Sequence, residues 1–187
     1  MKKISILLLL FITVLAVAQK GGQAPAPVSL PVDSITKLIT YEGVVQVPGV
    51  TKAVLYKRAM DFFQAYYKNP TEVIRDNDST KGVIVGKPRF RISNPADKTG
   101  LKTDAGLVQY TITLSVKEGR FKYELTAFNW KQPSYYAAER WMATTAPGYL
   151  PVYNHYLTQT DEYVRETLKT LKPMMTSEKP VKDKDNW

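Results

Sequence analysis

The 187-residue chain has no cysteine and a single histidine, His155. The missing cysteines exclude a disulfide framework and any thiolate metal site. One histidine leaves an imidazole-based metal site short of ligands, and the His-Glu-x-x-His pattern is absent. The Gly-x-Ser-x-Gly nucleophile elbow is missing, as are the glycine loops that cradle phosphates. No metal and no cofactor is therefore expected. Charge of one sign is never concentrated. The formal net charge is +9, yet no run of five or six basic residues occurs, and solvated surface charge explains the excess. Long apolar runs are missing too, apart from the very start of the chain.

That start is MKKISILLLLFITVLAVAQ. Lys2 and Lys3 lead into an uncharged run from Ile4 to Leu15, and Ala16-Val17-Ala18 forms a small-x-small site. This is the three-part pattern of a secretory signal peptide over residues 1–18. The apolar run is shorter than the roughly 18 residues that a spanning helix needs. The mature chain is expected to be periplasmic or extracellular, with no transmembrane segment. Without disulfides it must be held by a core, and its length suits one domain.

Residues 19–29 are rich in Gly, Pro and Ala and are expected to be a flexible linker. From there the periodicity changes element by element. Ile39, Tyr41, Gly43, Val45 and Val47 alternate, which predicts a strand that Pro48-Gly49 ends. Leu55, Ala59, Phe62, Phe63 and Tyr66 form one helical stripe after a Thr51 cap. A short strand is expected near Val73 and Ile74, and a longer one over residues 81–92, interrupted by Gly86 and Pro88. Val108, Tyr110, Ile112, Leu114 and Val116 alternate most clearly, with a turn at residues 117–120. On the return strand Phe121, Tyr123, Leu125 and Ala127 are expected on one face, and Lys122, Glu124, Thr126 and Phe128 on the other. Residues 158–172 read as a last helix, stopped by Pro173. The expected class is α+β, in the order β-α-β-β-β-β-α: a curved antiparallel sheet with helices packed on one face. One domain should span residues 30–174, with a polar tail over 175–187.

Several of these residues also carry a family likeness. Leu30, Pro31 and Asp33, then Tyr41, Gly43 and Val45, then Phe62-Phe63, match the Leu-Pro-x-Asp start, the Tyr-x-Gly-x-Val strand and the aromatic pair of one family. The segment resembles a secreted bacterial domain of unknown function with a TATA-box-binding-protein-like (TBP-like) fold, over roughly residues 30–130. The resemblance implies the fold and supplies no catalytic residues. It does not imply DNA binding either, since fold does not fix function and the sheet lacks a dense basic and wedge pattern.

Residues 129–156 stand apart. They hold Trp130, Tyr135, Tyr136, Trp141, Tyr149, Tyr153 and Tyr156, far above the 11% aromatic content of the chain. A short helix starting at Pro133-Ser134 is expected there. These rings either complete the core or line a groove for an apolar, sugar or peptide ligand. On the second view Trp130, Tyr135, Tyr136, Arg140, Trp141, Tyr149 and Tyr153 are the candidate ligand-binding residues, with Arg140 supplying a cation. The expected function is a non-enzymatic, exported binding or interaction domain of the cell envelope, whose partner is a small molecule, a glycan or an envelope protein. Alternatives are a hydrolase with an unrecognised carboxylate or His155 site, which a pocket joining His155 to Glu139 or Asp161 would favour, and a structural envelope subunit.

Overall fold

A computed structural model describes residues 28–177. The predicted signal peptide, residues 19–27 of the linker and residues 178–187 of the tail lie outside that range. Among the described residues, seven strands form one antiparallel sheet: β1 (Tyr41–Gln46), β2 (Ile74–Asp78), β3 (Val83–Gly86), β4 (Arg89–Ser93), β5 (Asp104–Lys117), β6 (Arg120–Lys131) and β7 (Tyr135–Ala137). Its order is β1-β6-β5-β3-β2, with β4 continuing beside β5 and β7 beside β6. Three α-helices of the same range join them: α1 (Lys52–Tyr66), the one-turn α2 (Pro70–Val73) and α3 (Val152–Thr176). A 3-10 helix spans Ala138–Met142.

The alternation decides which face is covered. Tyr110, Ile112, Leu114 and Val116 of β5 are buried, as are Phe121, Tyr123 and Leu125 of β6. Leu55, Ala59, Phe62 and Phe63 of α1 and Leu157, Val164 and Leu171 of α3 close over them. Thr51 caps α1 by accepting from the Val54 amide at 3.3 Å. Gly86 allows a close approach, because an added Cβ would sit 2.6 Å from the Phe63 ring and 3.1 Å from Ile112.

Five expectations about elements need correction. Val73, expected in a strand with Ile74, ends α2, and β2 runs from Ile74 through Asp78. The strand expected over residues 81–92 is two, β3 and β4, laid end to end along β5. Pro88 has no amide hydrogen for the ladder, and its carbonyl instead accepts from the Tyr110 amide at 3.2 Å. On β6, Phe128 is buried and belongs to the helix-covered face, whereas Ala127 is half-buried. A bulge between Gln109 and Thr111 of β5 places an extra residue on β6, with Ala127 at φ 54°, and every side chain beyond it changes face.

The helix expected from Pro133 is a strand, β7, followed by the 3-10 helix. The last helix starts six residues early and runs past Pro173 to Thr176. Its end is pinned by tertiary contact: Met175 is buried, and the buried Arg58 guanidinium donates to the Met175 carbonyl at 2.9 Å. Proline at 173 removes the amide that would donate to the Lys169 carbonyl, at the cost of one helical hydrogen bond.

Candidate functional site

The helices cover one face of the sheet, and among the described residues no element covers the other. That bare face is made of the residues between the buried ones. Register assembles them into transverse rows. Val44 lies opposite Lys122, Lys122 opposite Ser115, and Ser115 opposite Val83. The next row toward the β5–β6 turn is Gln46, Arg120 and Lys117. The row on the other side is Glu42, Glu124, Thr113 and Val85. Val44 is 58% exposed. Lys122 is clamped by Glu42 at 2.6 Å and Glu124 at 3.4 Å. The hydrogen bond to Glu42 is the largest influence raising its pKa, so the ammonium stays charged. Around this end of the face lies a groove of about 550 Å³.

The aromatic segment sits at the other end, and it divides. Trp141 is fully buried, and Tyr153 is buried beside it. Trp130, Tyr136 and Tyr149 are half-buried and packed against them. Edge and stacked contacts link the set: Trp130 to Trp141 at 5.8 Å, Trp141 to Tyr153 at 6.1 Å, and Tyr149 to Tyr153 at 5.8 Å between centroids. Burial, then the neighbouring Tyr136, raises the Tyr153 pKa. Trp130 donates through Nε1 to the Ala105 carbonyl at 2.8 Å. Arg140 is exposed and lies over the Tyr136 ring, 4.4 Å from its centroid. Tyr135 is the open ring, 63% exposed. It pairs with Lys131 on the bare face, and its hydroxyl reaches Gln109 of β5 at 3.2 Å. Six of the seven candidates thus gather at the junction of β7, the 3-10 helix and α3, while Tyr135 turns to the uncovered side.

Other chemistry-bearing groups are engaged in the fold. Glu139 accepts from the buried Ile39 amide at 2.8 Å. Asp161 accepts from the Tyr41 hydroxyl at 2.8 Å and binds Arg165 at 2.6 Å. Burial first, then the Asp161 bond, drives the Tyr41 pKa far upward. His155 lines a separate hollow of about 490 Å³ with Val28, Pro95, Pro151, Val152 and Thr158, and its Nε2 is buried without a partner. Among the described residues no carboxylate lines that hollow. Glu118 accepts from the Lys52 amide at 3.1 Å, away from Glu124. Ser34 and Lys37 stand at a Ser-x-x-Lys spacing. It falls in an exposed turn held by Asp33, where no helix sets the serine and lysine on one face. Among the described residues no group of three or more His, Cys, Asp or Glu could hold a metal ion.

Comparison with known proteins places this architecture. No curated protein matches the chain. The similar solved structures include two from bacteria. A DUF4468 family protein from Bacteroides ovatus is 18% identical with a TM-score of 0.64, over 81% of this chain and 93% of that one. A TBP-like protein from Parabacteroides distasonis is 13% identical with a TM-score of 0.50, over 72% of this chain and 92% of that one. At such identities the likeness speaks for the fold alone. The family model for DUF4468, a domain of unknown function with TBP-like fold, matches residues 41–131, from the first residue of β1 to the last of β6. The segment from β1 to β6 therefore matches the DUF4468 model, and the architecture is α+β with an open antiparallel sheet in the TBP-like fold.

Proposed function

We propose that this protein is an exported, non-enzymatic binding domain of the cell envelope that engages its ligand or partner with the bare face of its sheet. One observation carries the reading: the uncovered face of the sheet displays large apolar groups. An antiparallel sheet can leave one face in water, and that face is then ordinarily polar. Here β5 and β6, the two longest strands, keep one full face open, with Val44 and Tyr135 exposed on it. Exposed aliphatic and aromatic groups among polar neighbours are the usual make-up of a contact surface. Of the aromatic segment, Tyr135 belongs to that surface, whereas Arg140 lies over Tyr136 on the helix side. Trp130, Trp141, Tyr149 and Tyr153 form the packed support that holds β7 in place.

The experiment has two parts. Cells are fractionated, and the mature N-terminus is read by mass spectrometry, with cleavage after Ala18 expected. A photo-crosslinking residue is then placed at Val44, Thr113 or Tyr135, and at Ala65 on the exposed side of α1 as a control. Specific adducts in the envelope fraction from the sheet positions alone support the reading. Uncleaved cytoplasmic protein, or adducts as frequent from Ala65, would overturn it.

A further inference from the structure

The groove at the β5–β6 turn has a composition that the rest of the bare face lacks. Its floor is the row Val44, Lys122, Ser115 and Val83, which crosses four strands. At the usual strand spacing that row is about 14 Å long. Lys122 is satisfied by two carboxylates, so its aliphatic stem counts with the two valines as apolar floor. At the turn end stand Lys117 and Arg120, directly opposite each other across the ladder. Both are exposed. Among the described residues the basic side chains held in ion pairs are Lys57, Lys81, Arg91, Lys122, Arg165 and Lys169, so neither Lys117 nor Arg120 has such a partner. Like charges directly opposite on a ladder repel, and an anion seated between them turns that repulsion into attraction.

We infer that this groove binds a single-chain amphiphile with a phosphate head, the head between Lys117 and Arg120 and the chain crossing the middle of the row, with Val44 on one side and Val83 on the other. The inference rests on the reading of the bare face as the binding surface. Charge complementarity selects the occupant: two free cations side by side match a phosphate monoester, which carries close to two negative charges near neutral pH. A guanidinium also meets phosphate oxygens in a two-point contact. The size agrees, since pockets for small ligands run from about 300 to 1,000 Å³, and the groove measures about 550 Å³.

The test is a titration of the mature chain with dodecyl phosphate below its micelle concentration, followed by the methyl NMR signals of Val44 and Val83. Saturable shifts at both valines are expected. Arg120→Glu creates an opposite-charge pair with Lys117, so this variant folds and melts no lower than the parent, while its affinity falls at least about tenfold. Dodecyl maltoside, with the same chain and no charge, binds at least about tenfold more weakly than dodecyl phosphate. Absent shifts, equal binding by the variant, or equal binding of dodecanoate would each overturn the phosphate-headed ligand. If sheet-face crosslinks persist when dodecyl phosphate fails, the binding-face reading stands and this inference alone is lost. If the crosslinks fail too, the reading itself goes.

Discussion

Trp141 is the residue on which the two views of the aromatic segment divide. It is 0% exposed and touches Trp130, Tyr153 and Tyr156. Truncating a buried ring removes its transfer free energy and leaves a cavity that packed neighbours fill only in part. Trp141→Ala is expected to cost about 3–5 kcal/mol, measured by urea denaturation. Tyr135→Ala, on the exposed ring, should stay within about 0.5 kcal/mol of the parent. Equal midpoints for Trp141→Ala and the parent would contradict the packing described here. Composition alone could not separate these two tyrosine- and tryptophan-rich roles, because an amphipathic ring serves a core and a binding surface equally well.

At the scale of elements, the β6 bulge has the widest consequence. Upstream of it the period of two predicts every buried residue from Phe121 to Leu125. At Ala127 one extra residue is inserted, Phe128 turns inward, and it stacks on Tyr110 with centroids 5.4 Å apart. The same inversion puts Trp130 and Tyr136 on the helix side and Lys131 and Tyr135 on the bare side. Ala127 has φ 54°, a left-handed conformation that costs an L-residue about 1–2 kcal/mol. Glycine removes that cost but gains about 0.4–1 kcal/mol of unfolded-state freedom. Ala127→Gly should therefore stabilise the protein by up to about 1 kcal/mol, seen as a higher denaturation midpoint. A clear loss of stability would mean that the alanine methyl matters more than the backbone conformation.

For the whole molecule, tyrosine ties the layers together. Tyr67 and Tyr110 share a buried hydroxyl contact at 3.0 Å, Tyr66 bonds Thr167 of α3 at 2.9 Å, and Phe90 of β4 stacks on Tyr163 at 4.1 Å. Burial is the main cause that pushes Tyr163 up to about 12, and it drives the Tyr41, Tyr67 and Tyr110 hydroxyls far upward as well. A tyrosine in the unfolded chain ionises near pH 10. The folded protein thus favours the neutral phenols. Their contribution is fully present below about pH 10 and is lost as pH rises from there, because the unfolded chain then releases its protons first. Stability should fall from about pH 10 through 12 and beyond, and tyrosinate absorbance at 295 nm should rise together with loss of far-UV circular dichroism. Smooth ionisation of every tyrosine with the circular dichroism unchanged would refute it.

Much of the fold is legible in the sequence. The α1 stripe, the buried sides of β1 and β5, the α+β class and the TBP-like likeness all follow from local periodicity and short motifs, since a side chain's direction within a regular element depends on its position in that element. Tertiary structure decided the rest. The burial of Trp141, the bulge at Ala127, the passage of α3 through Pro173 and the row from Val44 to Val83 all depend on residues distant in sequence. Only register brings Val44 and Val83 onto one surface through Lys122 and Ser115, and no local pattern encodes a register between four strands.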